Sequence, residues 1–414
     1  MLLKKVCLNH QLCDILIKGN TISQIEKSIN VPDEIIWDCT GKAIFPSFAN
    51  THTHASMMFL RGIGEDQELF TWLNTSIWPR EAKLKPEHIY PLSRFAILEM
   101  IKTGTTFFCD MYGDADETVR AVNDMGIRSM IPYVGMDFFD ENETERRLNQ
   151  ADLFLSGPSP SGRIIKGTSA HAIYTCSERL IRGLFEKAQN HQTYFHIHLS
   201  ETEKEVHDCL NKYGCRPVEL LHKWGVLGPK TILAHGVHFN EDELHILADT
   251  GSIIAHCPTS NLKLGSGSMN LQKYLESNIQ LTLGTDSVSS NNSLSMITEM
   301  KVAALSAKQR VGSVLAGRVS DILKIATRNG FQAFGINTGR IEVGALADFV
   351  LVDLNNPLLL PNEQIDSHLI YAADSSCITD VICDGKPVMQ NKTVTNETQI
   401  IDEFKRVVWE LNRL

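Results

Sequence analysis

Four short stretches of the sequence bring histidine and acidic residues together at spacings that suit metal binding. They are Asn50-Thr51-His52-Thr53-His54, His196-Ile197-His198-Leu199-Ser200-Glu201, Ala234-His235-Gly236-Val237-His238 and Gly284-Thr285-Asp286-Ser287. Residues two apart on an extended chain project to the same side, so His52 and His54 can point to one place. Three imidazole nitrogens and one carboxylate oxygen from separate segments would form a site that suits Zn²⁺, with iron as the alternative.

The register of each stretch decides which of its histidines faces the metal. The residue types leave open whether His196 or His198, and whether His235 or His238, points inward. A single His-x-His or Gly-Thr-Asp sequence is weak evidence, because such short patterns often occur by chance. All four stretches in this order, each after an apolar run, together indicate a metal site.

The elements that must position these side chains are predicted to be short buried strands. Eight apolar runs qualify, at residues 42–45, 105–110, 128–134, 164–168, 193–198, 231–234, 252–255 and 280–283. Helical patterns fill most of the intervals, for example at residues 87–102, 177–190, 241–249 and 294–307. Buried strands that alternate with helices predict a parallel sheet, and eight repeats predict a closed (β/α)8 TIM-type barrel. Enzymes with this fold carry their active sites at the C-terminal ends of the strands, where the histidine stretches lie.

Both ends of the chain have β character. An early hairpin is predicted from residues 14–17 and 22–25, and further strands are predicted at residues 347–353, 378–383 and 387–389. A final amphipathic helix has Ile400, Phe404, Val407, Val408, Leu411 and Leu414 on one face. Because chain ends usually lie close together, we expect the termini to form one smaller β-sandwich domain. The predicted α/β protein therefore has residues 1–47 and 336–414 in the small β domain and residues 48–335 in the barrel.

The composition is that of a globular protein and limits its partners. The 414 residues are 43% hydrophobic and 21% charged, with a formal net charge of -10. These values exclude a disordered chain and predict no nucleic-acid partner. The 10 cysteines form no Cys-x-x-Cys pair, which predicts buried thiols in a reducing compartment. The sequence has no signal-peptide pattern and no run of about 18 apolar residues, so we expect a cytoplasmic protein without a membrane partner.

The chain resembles a known enzyme family along essentially its whole length. Phe45-Pro46-Ser47-Phe48-Ala49-Asn50-Thr51-His52-Thr53-His54 is similar to the Pro-Gly-Phe-x-Asn-x-His-x-His signature of the amidohydrolase superfamily, with Ser47 where the family usually has glycine. The similarity points to the branch of 5′-methylthioadenosine/S-adenosylhomocysteine deaminases and related chlorohydrolases. Further matches are Trp78-Pro79-Arg80-Glu81, Glu99-Met100-Ile101-Lys102-Thr103-Gly104-Thr105-Thr106, His198-Leu199-Ser200-Glu201, Ser260-Asn261-Leu262-Lys263-Leu264, Gly284-Thr285-Asp286-Ser287 and Ser290-Asn291-Asn292.

The resemblance implies a role for each residue of the predicted site. It implies one divalent metal ion held by His52, His54, His198 and Asp286. His235 would orient the water on the metal, and Glu201 would protonate the ring nitrogen beside the carbon under attack. Asp286 would then pass a proton from the water to the departing amine. Two-metal relatives carry a carboxylated lysine after the fourth strand, but this chain has Gly167-Thr168-Ser169-Ala170-His171 there, which favours a single metal.

The resemblance also implies contacts with a purine nucleoside. Glu81 would accept hydrogen bonds from the ribose hydroxyls, His171 would lie near the ribose, and Trp72 would wall the purine pocket. Arg147 matches an arginine that holds the amino-acid carboxylate of S-adenosylhomocysteine. The second arginine of the family is replaced by Tyr133, which leaves a preference for S-adenosylhomocysteine open.

These expectations together describe a metal-dependent deaminase. It would convert methylthioadenosine, S-adenosylhomocysteine, adenosine or 5′-deoxyadenosine to the inosine analogue and ammonia, and by resemblance it would form a homo-oligomer. The enzymatic alternative is an aminohydrolase or chlorohydrolase that acts on another heteroaromatic ring, such as a triazine or a pterin. The remaining alternative is a non-catalytic metal-binding interaction protein, which the full set of site residues disfavours.

Overall fold

The computed structural model describes residues 1–32 and 34–413. The strands are β1 (Leu2–Leu8), β2 (Gln11–Lys18), β3 (Thr21–Glu26), β4 (Ile36–Asp38), β5 (Lys42–Pro46), β6 (Phe48–Thr53), β7 (Thr105–Asp110), β8 (Arg128–Gly135), β9 (Ile164–Ala172), β10 (Phe195–Leu199), β11 (Thr231–His235), β12 (Ile253–His256), β13 (Gln280–Leu283), β14 (Phe349–Asp353), β15 (Ile378–Cys383) and β16 (Lys386–Met389). They form two sheets, one in the middle of the chain and one from its two ends.

Helices connect most of these strands. They are α1 (Leu69–Trp72), α2 (Trp78–Glu81), α3 (Pro86–Lys102), α4 (Ala115–Met125), α5 (Glu141–Ser156), α6 (Glu178–Asn190), α7 (Glu203–Tyr213), α8 (Pro217–Lys223), α9 (Glu241–Thr250), α10 (Pro258–Lys263), α11 (Leu271–Glu276), α12 (Met296–Val311), α13 (Val319–Ala326), α14 (Arg328–Ala333), α15 (Ile365–Tyr371) and α16 (Glu397–Leu411). A π-helical turn (Leu73–Ile77) joins α1 to α2, and 3-10 turns cover Ala55–Leu60, Pro357–Leu359, Asn362–Gln364 and Ser375–Cys377. No helix in the described ranges is both long and apolar enough to cross a membrane.

The middle sheet has the predicted (β/α)8 barrel architecture. Its eight strands β6 to β13 are neighbours in chain order, and every pair from β6 to β13 is parallel. Between β13 and β6 the barrel is joined mainly by side chains: Thr51 Oγ1 donates to the Leu283 carbonyl at 3.0 Å, and Asn50 Oδ1 accepts from the Thr285 amide at 3.0 Å. The C-terminal ends of all eight strands therefore meet at one end of the barrel.

The second sheet unites the two termini, as predicted. Its strand order is β16-β15-β14-β5-β1-β2-β3, and β4 adds a further parallel partner to β1. The predicted early hairpin is β2 and β3, which pair in antiparallel register from Asp14–Glu26 to Lys18–Thr21. The three predicted late strands are β14, β15 and β16. The domain limits at residues 47/48 and 335/336 stay predictions.

The prediction of a barrel strand at residues 42–45 is wrong. That segment is β5, which pairs in antiparallel fashion with β14 in the second sheet. The first barrel strand is β6, whose six residues are all buried although four of them are polar. A search for apolar runs does not find β6, because its polar side chains do not pack into an apolar core. They close the barrel against β13 and contribute to the candidate metal site.

The four helices predicted between the strands are present with small shifts at their ends. They correspond to α3, α6, α9 and α12. The Ser177 hydroxyl caps α6 by accepting from the Leu180 amide at 3.1 Å, and Asn240 caps α9 in the same way at 2.9 Å. The predicted final helix is α16, where Ile400, Val407 and Leu411 are buried, while the prediction for Leu414 lies outside the described residues.

Candidate metal centre and active site

The ends of four barrel strands bring the predicted metal-binding side chains to one place. His52 lies in β6 with His54 just beyond it, His198 lies in β10, His235 ends β11, and Asp286 follows β13. Four of these five residues are less than 9% exposed, and His54 is half-buried. The ring centroids of His52, His54 and His198 are 4.9–5.3 Å apart. Residues more than 200 positions apart in the chain therefore form one compact cluster.

The donor atoms of this cluster fit a metal ion. One nitrogen from each of His52, His54 and His198 lies within 4.8 Å of the other two, and the same holds for donor atoms of His52, His235 and Asp286. Asp286 Oδ1 is 3.2 Å from His54 Nε2 and 3.5 Å from His52 Nε2. His52 Nε2 is buried and has no hydrogen-bond partner among the described residues. A divalent cation would satisfy this nitrogen and neutralise the carboxylate.

The hydrogen bonds made by Nδ1 distinguish the candidate ligands His54 and His198 from His235. His54 Nδ1 lies 2.6 Å from the Met111 carbonyl, and His198 Nδ1 lies 2.8 Å from the His171 carbonyl. A carbonyl only accepts, so each Nδ1 carries the proton and each Nε2 keeps a lone pair for a metal.

His235 has the opposite arrangement. Its Nδ1 is 3.0 Å from Asn261 Nδ2 in the orientation that the structure assigns to this amide. The amide nitrogen donates to Nδ1, so the ring proton sits on Nε2. His235 is therefore set up to donate a hydrogen bond into the site.

The charge states of most of these groups also suit a metal. Burial lowers the pKa of His52 and of His235 to about 4 and the pKa of His198 well below its usual value, so these rings are neutral near pH 7. Burial also lowers the pKa of His54, but the adjacent Asp286 carboxylate outweighs this effect and the pKa is raised. Burial raises the pKa of Asp286, but the adjacent His52 and His54 rings outweigh it and hold the pKa well below its usual value.

Serine hydroxyls hold the second oxygen of Asp286. Asp286 Oδ2 accepts from Ser260 Oγ at 2.5 Å and from Ser290 Oγ at 2.9 Å. These two bonds leave Oδ1 turned towards the histidines. The carboxylate is thus oriented before any ion or substrate arrives.

Glu201 lies beside the cluster and is set up as an acid. Its Oε2 is 3.7 Å from His235 Nε2, and its Oε1 accepts from Ser266 Oγ at 3.2 Å. Burial, with a smaller contribution from the charge of Asp286, raises the pKa of Glu201 to about 8. The carboxyl group therefore keeps its proton at neutral pH and can donate it.

A cavity of about 300 Å³ opens from this cluster and includes most of the predicted substrate contacts. Its lining includes Trp72, Trp78, Glu81, His171, Tyr174 and Glu201. Glu81 Oε1 accepts from the Tyr112 hydroxyl at 2.6 Å, and burial raises the pKa of Glu81. The volume falls within the range of small-molecule sites, and its mixture of aromatic and carboxyl groups suits a ligand with a flat ring and hydroxyls.

Arg147 and Tyr133 line an adjoining cavity and not the cavity at the candidate metal ligands. This second cavity has a volume of about 450 Å³ and shares Tyr112 and Val134 with the first. Arg147 projects from α5 with its Nε 3.3 Å from Glu143 Oε2, and the Tyr133 hydroxyl donates to Gln150 Oε1 at 2.8 Å. The guanidinium therefore lies outside the cavity at the candidate metal ligands.

The structure also identifies supporting residues to which the sequence assigned no role. Ser260, Asn261 and Ser290 hold Asp286 and His235, and all three occur in the family-like segments, so a signal for them was present. Ser266 and Tyr112, which hold Glu201 and Glu81, lie outside those segments. Nothing in their sequence neighbourhood distinguishes them from ordinary loop residues.

Sequence comparisons identify known proteins that are similar to this chain. A model of the amidohydrolase family matches residues 43–388. The chain is 40% identical over 394 residues to the 5′-deoxyadenosine deaminase of Methanosphaera stadtmanae, covering 94% of this chain and 93% of that one. It is 42% identical over 380 residues to the 5-methylthioadenosine/S-adenosylhomocysteine deaminase of Thermococcus sibiricus, covering 91% of this chain and 89% of that one.

Solved structures share the complete architecture. An adenosine deaminase from Xanthomonas campestris with bound zinc superposes with a TM-score of 0.90 at 29% identity, covering 97% of this chain and 94% of that one. The zinc complex of an atrazine chlorohydrolase from Arthrobacter aurescens also has a TM-score of 0.90, covering 98% and 99% of the two chains, but at 21% identity. At 21% identity, the similarity to the chlorohydrolase shows only that the fold is shared.

Proposed function

Because the chain belongs to the amidohydrolase family, we propose that it is a metal-dependent hydrolase that deaminates an adenosine-type nucleoside to the inosine analogue and ammonia. The observation that carries this proposal is the convergence of His52, His54, His198 and Asp286 beside the buried carboxyl group of Glu201. The names of the two deaminase relatives support the substrate class.

We propose that the resident ion is a single zinc, held by His52, His54, His198 and Asp286. Three imidazole nitrogens and one carboxylate oxygen suit zinc, and zinc is bound in the similar adenosine deaminase. When bound, a divalent metal lowers the pKa of a coordinated water towards neutrality and so makes a nucleophile available. Iron remains the alternative for the same donor set.

The chain's own residues would handle the protons of the reaction. Glu201 donates its proton to the ring nitrogen N1 while a water oxygen forms a bond to C6. Asp286 accepts one proton of that water and passes it to the amine, so that the C6–N bond breaks and ammonia leaves. The remaining hydroxyl proton returns to Glu201, which leaves the carbonyl of the inosine analogue. His235, with its proton on Nε2, orients the attacking oxygen by donating a hydrogen bond.

We assign the nucleoside contacts from the lining of the two cavities. Glu81 and His171 would bind the ribose hydroxyls, Trp72 would pack against the purine, and Arg147 would meet a carboxylate at the far end of a long substrate. Methylthioadenosine, S-adenosylhomocysteine, adenosine and 5′-deoxyadenosine all present the same ring to Glu201. A location in the cytoplasm and assembly into a homo-oligomer stay proposals from the sequence.

Ammonia release by the purified protein tests this function. The four nucleosides should release ammonia in the presence of zinc, whereas a triazine and a pterin should not. Glu201→Gln should lower kcat by about 10²–10⁴-fold, because general acid catalysis supplies a factor of this size. Its metal content, measured by mass spectrometry of the element, should equal that of the wild type.

Glu203→Gln is the matched control, because Glu203 is exposed and lies only two residues away. It should leave both ammonia release and metal content unchanged. A Glu201→Gln enzyme with wild-type turnover would overturn the assignment of the acid. Release of ammonia or chloride from the triazine or pterin alone would overturn the substrate class.

A further inference from the structure

A histidine that the proposed reaction does not use lies directly behind the candidate ligand His52. His196 is two residues before His198 in β10 and is fully buried. Its Nε2 lies 3.2 Å from His52 Nδ1, and the two rings meet edge to face at 88°. On its other side, His196 Nδ1 lies 3.6 Å from Cys109 Sγ. His196 therefore bridges a candidate metal ligand and a buried thiol.

The protons of this chain of groups can be assigned from their neighbours. The ring of His196 is fully buried and pairs with no acidic side chain among the described residues, so it is neutral and carries one N–H. Burial raises the pKa of the Cys109 thiol, which keeps its proton and lies 3.8 Å from the Asp110 carbonyl. With the thiol donating to that carbonyl, the sulfur can accept from His196 Nδ1–H.

This assignment leaves His196 Nε2 as an acceptor facing His52. His52 then carries its proton on Nδ1 and donates it to His196, so that its own Nε2 keeps a lone pair. The reverse order of protons would place a proton on His52 Nε2, the atom that lies 3.5 Å from Asp286 Oδ1 among the candidate donors. Such a proton would compete with a metal for the same lone pair.

We propose that His196 is a positioning residue that fixes His52 in the tautomer able to bind the metal. The inference rests on the metal site of the proposed function. His54 and His198 obtain the same tautomer from backbone carbonyls, which no side-chain substitution removes. His52 obtains it from a side chain, so the tautomer of this ligand can be altered by mutation without replacing the ligand.

Zinc titration of the metal-free full-length protein tests this role. The titration would be run against a competing chelator for the wild type, His196→Gln, His196→Asn and His196→Leu. The glutamine amide can reach the place of imidazole Nε2, whereas the asparagine amide reaches only the place of Nδ1. We expect the Kd for Zn²⁺ to rise about 10–100-fold in His196→Asn and His196→Leu, and to stay close to the wild-type value in His196→Gln.

The pair of amide variants keeps the test decisive if the leucine variant fails to fold. Equal Zn²⁺ affinity in folded His196→Asn and wild type would overturn the role of His196. Equal weakening in His196→Gln and His196→Asn would also overturn it, because the position of the acceptor would then not matter. Absence of Zn²⁺ binding in the wild type would instead refute the proposed function, so the two failures are distinguishable.

Discussion

Two buried carboxyl groups of the site are held in opposite protonation states. Burial raises the pKa of Glu201 to about 8, and its one side-chain hydrogen bond, from Ser266, does not offset this. Asp286 is as deeply buried, but the adjacent His52 and His54 rings hold its pKa well below the usual range. Pairs of groups whose environments push their pKa values apart are typical of an acid and a base in one mechanism. The environment of each carboxyl group thus supports the role proposed for it.

At the same scale, Arg147 should discriminate between substrates. Arg147→Ala should lower kcat/KM for S-adenosylhomocysteine about 10–100-fold, because a hydrogen bond to a charged group contributes about 1.5–3 kcal/mol. Methylthioadenosine and 5′-deoxyadenosine have no carboxylate, and their kcat/KM should not change. Steady-state ammonia release with each nucleoside measures the effect.

Arg182→Ala is the control for this substitution. Arg182 is exposed on α6 and pairs with Glu178, so its loss should affect no substrate. An equal loss for all nucleosides in Arg147→Ala would show that the arginine supports the structure and does not read the carboxylate.

At the scale of the elements, unusual backbone conformations occur at the strand ends that carry the candidate site residues. Ser200, His235 and Asp286 all have positive φ angles, of 51°, 74° and 60°. Residues other than glycine rarely adopt this backbone conformation, and where they do, the strain often occurs at active sites. Glu205 of α7 stabilises the first of these turns, since its two carboxylate oxygens accept from the amides of Ser200 and Glu201 at 2.9 Å.

The second sheet contains a comparable element, where Asp14 of β2 holds an irregular part of β1. Its carboxylate accepts from the amides of Lys5 and Ile29, both at 2.9 Å, and from Lys4 Nζ at 2.6 Å. Lys5 has a φ angle of 57°, at the point where the β1–β2 register shifts. Burial raises the pKa of Asp14, but the hydrogen bonds from Lys4 and from the two amides outweigh it, so the pKa is lowered.

Asp14→Asn should therefore destabilise the protein in a pH-dependent way. At pH 7 the loss should be about 1–3 kcal/mol, because the amide NH₂ would face a donor and leave it unsatisfied. Because the pKa of Asp14 is lower in the folded protein than in the unfolded chain, the carboxylate stabilises the fold at pH values above the unfolded-state pKa of about 3.9. This contribution is lost as the pH falls through the folded-state pKa. Urea midpoints of the two proteins should thus converge below about pH 4.

Asp402→Asn provides the comparison, because Asp402 is exposed and its nearest basic atom is 3.7 Å away. Its urea midpoint should follow that of the wild type at every pH. A constant difference between Asp14→Asn and the wild type from pH 7 to pH 3 would contradict the assigned charge state.

At the scale of the whole molecule, a buried arginine links the barrel to the second sheet. Arg128 begins β8, and its Nε lies 2.6 Å from Asp348 Oδ2, while its Nη2 lies 2.7 Å from Asp384 Oδ1. Both Asp348 and Asp384 belong to the C-terminal part of the chain, and Arg128 and Asp348 are at most 5% exposed. Removal of one partner from a buried ion pair leaves the other charge buried without compensation.

Arg128→Met should consequently lower the free energy of unfolding by about 3–5 kcal/mol. Urea unfolding followed by circular dichroism measures this loss. Arg406→Met is the control, since Arg406 pairs with Glu410 on the exposed face of α16 and should contribute only about 0.3–0.5 kcal/mol. Equal losses in the two variants would show that the link between barrel and sheet contributes little.

Most of the barrel could be predicted because seven of its strands are apolar runs buried on both faces. The eighth, β6, could not, since its polar residues Asn50 and Thr51 are buried against Thr285, just after β13, and Thr282, within β13. A polar residue reveals its burial only when its partner is known, and that partner is more than 200 residues away. The same limit explains why Ser266 and Tyr112 were not assigned roles.

By itself, the sequence determined which chemistry the protein can carry: the types of donor atom, their order along the chain and the strand ends that bear them. These are local properties, and a short segment contains them completely. Only the tertiary structure decided which of the neighbouring histidines in each stretch belongs to the candidate metal site. His198 lies among the candidate metal ligands and His196 lies behind His52, while His238 Nε2 is 2.6 Å from the Ser266 carbonyl. The physical reason is that depth in the barrel and the proton on each ring are set by partners from other strands.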